Sequence, residues 1–110
     1  MVEPPAEAQA QLLMLRQRFL ERSESELEQL VALLPDQAGL VTRSLLLEAH
    51  AGLHKLAGSG GIFGCAELSV RARALELRAQ SWLEAPALVS DAEWRTWLEE
   101  LRALPRLLGA

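Results

Sequence analysis

Tyrosine is absent from this chain, and valine, isoleucine and threonine together supply only 8 of its 110 residues. Sheets draw on β-branched and aromatic residues, so the composition argues against a sandwich, a barrel or a sheet-based nucleotide fold. Cysteine is limited to Cys65. A single thiol forms no internal disulfide, which fits a reducing compartment. Basic residues are scarce, with Lys and Arg totalling 11 against 15 Asp and Glu and a formal net charge of -4. Nucleic acid binding needs a basic face, so no nucleic acid partner is expected. No apolar run approaches the roughly 18 residues of a membrane span. The opening Met1-Val2-Glu3-Pro4-Pro5 has neither the basic region nor the apolar stretch of a signal peptide. The expectation is a soluble cytoplasmic protein with no membrane partner.

What the chain has in excess is leucine, at 24 residues, and alanine, at 17. Both are strong helix formers, which leaves an all-α domain. Half of the residues are hydrophobic and 24% are charged, a globular balance. The length suits one domain with a core that needs no staples. Residues 1–5 are expected to be a flexible segment and 6–110 the domain. Breakers mark four helices. The first follows Pro4-Pro5 and runs from about Ala6 to Leu34, with an apolar stripe of Leu12, Leu15, Phe19, Leu27, Leu30 and Leu34. Ser23 interrupts that stripe. Ser23 with Glu26 has the form of a capping box, but one long helix with a polar notch is the reading preferred here. Pro35-Asp36 ends it, and Asp36 is expected to cap the second helix, which runs to about Ala57 before a glycine cluster. The third helix carries Leu68, Ala72, Leu75, Ala79 and Trp82. The fourth, capped by Ser90 with Glu93, carries Trp94, Trp97, Leu98, Leu101 and Leu104, and Pro105 stops or bends it. Short connections between such helices imply an antiparallel up-down-up-down four-helix bundle.

The second helix holds the unusual residue. On a wheel of about 100° per residue, Thr42, Leu45, Leu46, Ala49, Leu53 and Leu56 share one arc, and Ser44, Glu48 and Lys55 lie opposite. His54 falls on the flank, partly in water. Its line holds Leu47, Ala51 and Gly58 rather than charges, and Gly58 leaves no side chain beyond the ring. A large partner could approach such an imidazole closely. The same residues also read as a stray exposed leucine and a glycine that merely ends a helix. The residues alone leave both readings open.

His54-Lys55-Leu56-Ala57-Gly58-Ser59, followed by Gly64 and Leu68, resembles the signature of histidine-containing phosphotransfer domains of two-component phosphorelays. That signature runs His-x-Leu-Lys-Gly-Ser, then glycine and leucine at the same spacing as here. The resemblance implies that His54 is the phosphoacceptor. It makes Leu56 and Leu68 structural and makes Gly58 and Gly64 the helix-end and close-packing glycines. It also places a polar residue on the facing third helix to hold the second ring nitrogen, and Glu76 falls at the matching place. One departure is plain: the family's usual lysine three residues after the histidine is replaced by Ala57. Lys55 lies about 100° away round the helix, so Arg71 or Arg43 are the expected sources of charge.

The resemblance further implies a phosphoryl carrier, not an enzyme. Its partners would be response-regulator receiver domains, with a hybrid sensor histidine kinase as a source of phosphoryl groups. The chain would have no cofactor of its own, Mg²⁺ being held by the partner receiver. A neutral imidazole suits the task, since its ordinary pKa is about 6.5. No P-loop or kinase-type nucleotide loop is present. The partner face is expected to be Leu47, His50, Ala51, Lys55 and Gly58 around His54, with help from the first helix, on a monomer. Two other readings fit the residues. A docking module that binds a receiver or kinase without transfer would account for Ala57. A metal-binding bundle would use His50 and His54, which have ligand spacing, but neither has the Glu at i-3 of the di-iron class. No metal ligand is assigned. Trp82, Trp94, Trp97 and Cys65 are expected to be packing residues.

Overall fold

Pro5 occupies the N-cap of the first helix, and its carbonyl accepts the first helical hydrogen bond, from Gln9. The computed structural model describes residues 5–86 and 89–109. The expected flexible segment, apart from Pro5, lies outside them. Four α-helices follow in order: α1 (Ala6–Leu33), α2 (Arg43–Ile62), α3 (Ala66–Glu84) and α4 (Asp91–Ala103). A 3₁₀ turn at Ala38–Leu40 precedes α2, and another, Leu104–Leu107, continues α4 through Pro105. Each helix packs on the next and α1 also packs on α4, which closes an antiparallel bundle; α2 against α3 is by far the most extensive pairing.

The core is built from the predicted stripes. Leu68, Ala72, Leu75, Ala79 and Trp82 of α3 are buried, as are Trp94, Trp97, Leu98, Leu101 and Leu104. Full burial of one of these leucines is worth about 1.5–3 kcal/mol. The three tryptophans cluster with ring centroids 5.1 to 5.8 Å apart, Trp94 stacked on Trp97 and Trp82 tilted against both. Trp94 Nε1–H donates to the Pro35 carbonyl at 2.8 Å and Trp97 Nε1–H to the Leu75 carbonyl at 3.0 Å. Cys65 is buried.

α1 is one continuous helix, and Ser23 is a buried notch within it rather than a cap. Its stripe is only half used. Phe19, Leu27, Leu30 and Leu34 are buried, whereas Leu12 and Leu15 are exposed. Length is the cause. The 28 residues of α1 reach about 42 Å at a rise of 1.5 Å each, longer than any neighbour. Phe19 stacks on Phe63 at the end of α2, and Arg16 donates to the Phe63 carbonyl at 3.3 Å. The turns before Arg16 therefore run past the end of α2.

Both ends of α2 differ from expectation. Asp36 does not cap it. Its carboxylate pairs with Arg102 at 3.1 Å, and Thr42 is the cap, accepting from the Leu45 amide at 3.2 Å. Thr42 is thus a helix terminus, not part of the apolar arc. Nor does α2 stop at Ala57. Gly58, Gly60 and Gly61 stay helical, and the chain reverses only at Gly64, whose φ of 79° is the left-handed conformation that glycine adopts without penalty. There the Cys65 amide reaches back to the Gly60 carbonyl (2.8 Å) and the Gly64 amide to that of Gly61 (3.4 Å), which makes a Schellman stop. Ser90 caps α4 as expected, accepting from the Glu93 amide at 3.1 Å.

Candidate functional site

Of the glycines that fail to end α2, Gly60 and Gly61 lie against α3. A Cβ on Gly60 would stand 3.5 Å from the Cys65 carbonyl oxygen and the Ser69 amide nitrogen, ordinary contact with no room for more. One turn earlier the Ser69 hydroxyl donates to the Ala57 carbonyl at 2.5 Å. Gly60, which the sequence offers only as one of a breaker cluster, and Ser69, which it does not single out, thus fix how α2 sits along α3.

That placement brings His54 and Glu76 together. His54 Nδ1 lies 2.7 Å from Glu76 Oε2. Glu76 is 3% exposed, while the His54 side chain is 66% exposed. A carboxylate has no proton to give, so Nδ1–H is the donor. In a neutral ring this leaves the Nε2 lone pair free on the opposite side of the imidazole. The hydrogen bond fixes both tautomer and orientation. Burying a carboxylate is costly unless it is paired, and Glu76 has further company. Arg73, one turn earlier on α3, places NH1 3.3 Å from Glu76 Oε1. His50 Nε2 is 3.7 Å from Oε2, too far for a hydrogen bond, and is itself buried without a partner.

The outer strip of α2 is open. Leu47, Ala51, Lys55 and Gly58 are exposed and His50 is partly so. Lys55 leans away from His54 towards α1, where it pairs with Glu26 at 3.4 Å. Beneath that pair runs a groove between α1 and α2 floored by Ser23, Leu27, Leu30 and Leu53. On the other side of His54 is an opening of about 340 Å³, lined by Ala57, Gly58, Ser69, Val70 and Arg73. Nothing lies within 4 Å of the place a Gly58 Cβ would take. Gly58 is a helix-interior residue on an open surface, not a helix end.

The two arginines expected to supply charge are elsewhere. Arg71 pairs with Glu67 at 3.3 Å, and Arg43 donates to the Leu83 carbonyl at 3.2 Å near the other end of α3. The arginine at the site is Arg73, which sequence reasoning missed. The signal was its i-3 spacing from Glu76, a neighbouring position on a helix. Among the described residues no group of three or more His, Cys, Asp or Glu is arranged to hold a metal ion, and no helix is long and apolar enough to cross a membrane.

An exposed, oriented histidine on the second helix of a four-helix bundle invites comparison with known families. The family model described as Hpt domain matches residues 14–104, which take in all of α2, α3 and α4 and most of α1. The chain belongs to the Hpt domain family. No match was found among curated proteins or among solved structures. Hpt domains serve histidine phosphotransfer in phosphorelays; they are phosphocarriers rather than enzymes, and receiver domains are their partners. In this Hpt domain the position three residues after His54 is Ala57, which is buried against α3.

Proposed function

We propose that this Hpt domain takes a phosphoryl group on Nε2 of His54 from the aspartyl phosphate of one receiver domain and passes it to another. The observation that carries the reading is the 2.7 Å contact between His54 Nδ1 and the buried Glu76 carboxylate on an otherwise exposed ring. In the forward step the Nε2 lone pair forms the bond to phosphorus. The P–O bond to the aspartate breaks, and its electron pair stays on that carboxylate. The ring gains positive charge while its proton remains on Nδ1, facing Glu76. A preorganised buried carboxylate stabilises that developing charge at no cost in reorganisation. The return step is the reverse, so one geometry serves both directions.

On this reading the exposed Leu47, Ala51, Lys55 and Gly58, with the partly exposed His50, meet the receiver. The receiver brings the Mg²⁺ that its own aspartate requires. The domain works as a cytoplasmic monomer and hydrolyses no ATP. Incubation with a phosphorylated receiver tests it. The wild type acquires acid-labile phosphate, His54→Gln does not, and His50→Gln still takes label on His54. Uptake by His54→Gln equal to the wild type sinks the assignment. Ala57 favours a second reading, a docking module that binds a receiver without accepting phosphate. The same experiment separates the two, because that module forms a complex and stays unlabelled.

A further inference from the structure

We propose that Arg73 is the residue of this chain that holds the phosphoryl group on His54, its guanidinium turning from Glu76 to the phosphoryl oxygens once the group arrives. The inference rests on the phosphotransfer reading of His54 and deepens it.

Position comes first. Of the described basic side chains, Arg73 alone lines the opening beside His54. Lys55 is on the opposite edge of α2 with Glu26, and Arg71 and Arg43 are committed to Glu67 and Leu83. Arg73 and His54 each touch one oxygen of the same carboxylate, so guanidinium and imidazole are already held side by side. The small residues Ala57 and Gly58 leave the space between them open.

Chemistry comes second. The Arg73 side chain is 57% exposed and meets Glu76 through a single contact of 3.3 Å. A guanidinium has five donors in a planar fork that matches a phosphoryl group, so most of its capacity is unused there. Charge balance then moves it. Before transfer Glu76 needs Arg73, since the neutral ring offers only a hydrogen bond. After the N–P bond forms, the ring is a cation with its proton on Nδ1, and Glu76 has a full opposite charge 2.7 Å away. The arginine is released just as a dianionic group appears beside it. No other atoms change hands: the aspartyl phosphate supplies the phosphoryl group, and arginine moves without gaining or losing a proton.

The test uses two phosphate sources. Phosphoramidate labels histidine directly, so the lifetime of phospho-His54 can be measured without a partner; a phosphorylated receiver reports transfer. Hydrogen bonds to charged groups predict that Arg73→Ala shortens the lifetime and lowers phosphohistidine at equilibrium by about tenfold or more, with Arg73→Lys intermediate. Restoring a cation from α2, in the double variant Arg73→Ala with Ala57→Lys, recovers at least part of the loss. The ¹⁵N spectrum of the unphosphorylated ring stays that of the Nδ1–H tautomer in Arg73→Ala, because Glu76 still holds it. Wild-type lifetime in Arg73→Ala overturns the proposal. So does a shifted tautomer with no recovery by Ala57→Lys, which would mean that Arg73 acts only by positioning Glu76. Labelling by phosphoramidate with none from any receiver refutes the relay reading, and the lifetimes still decide the role of Arg73.

Discussion

Glu76 reaches across from α3 to bind the one side of His54 that faces the protein, and it does so from within the core, at 2.7 Å. A buried carboxylate is a poor device for stability, because its desolvation offsets what its partners return. Its presence is better explained by what it does to the ring.

Replacing it should therefore separate folding from function. Glu76→Met keeps the volume and removes the charge. Its melting temperature is expected to equal or exceed that of the wild type. The His54 ring should then populate both tautomers by ¹⁵N spectroscopy, and phosphoryl uptake should slow by about tenfold to a hundredfold, the scale of a lost charged hydrogen bond. A variant that melts much earlier would show that Glu76 is chiefly structural.

Gly58 offers the opposite combination. It lies inside α2 with open space where a Cβ would go. Gly58→Ala should stabilise the domain by roughly 0.5–1 kcal/mol, the usual gain in a helix interior. The added methyl stands one turn beyond the imidazole. Labelling by a receiver should fall several-fold, while labelling by phosphoramidate, a much smaller donor, should hold. Equal loss with both donors would place the effect on the ring itself.

At Gly64 the backbone decides. Its φ of 79° costs any residue with a Cβ about 1–2 kcal/mol. Gly64→Ala should lower unfolding free energy by that amount in urea titration, although nothing crowds the position. An unchanged midpoint would mean that the turn relaxes freely.

Gly60 is limited by space instead. Alanine there would make ordinary contact with α3 at 3.5 Å and should be tolerated, with helix propensity in its favour. Leucine would need room that the backbone of Ser69 occupies. Gly60→Leu should cost stability by roughly 1–3 kcal/mol and also lengthen the contact between His54 and Glu76, visible as a change in the ring ¹⁵N shifts. A leucine variant with wild-type spectra would contradict the packing described.

The repeating parts of the fold are legible in the sequence because a helix writes its buried face into local spacing. Leu68 to Trp82 and Trp94 to Leu104 are buried as their periods require. Leu12 and Leu15 follow the same period and are exposed, because a stripe carries no record of where a neighbouring helix ends. Gly58, Gly60 and Gly61 read locally as breakers, and only the packing of α2 on α3 keeps them helical. His54 and Glu76 could be named from the pattern of one family. Arg73 is legible only through Glu76: among ten arginines it is the one three residues before that carboxylate, and whether it also borders His54 depends on how α3 is rotated against α2.

The short bond from Ser69 to the Ala57 carbonyl then acquires a second meaning. His54 belongs to one helix and Glu76 to another, so their 2.7 Å separation is an alignment between two rods rather than a property of either. Sliding α2 along α3 by one turn, about 5.4 Å, would preserve every helix and much of the burial and still part the pair beyond hydrogen-bonding reach. Ser69 and Gly60 act as the locating pin. The alignment of His54 with Glu76 is set at a junction that touches neither ring nitrogen.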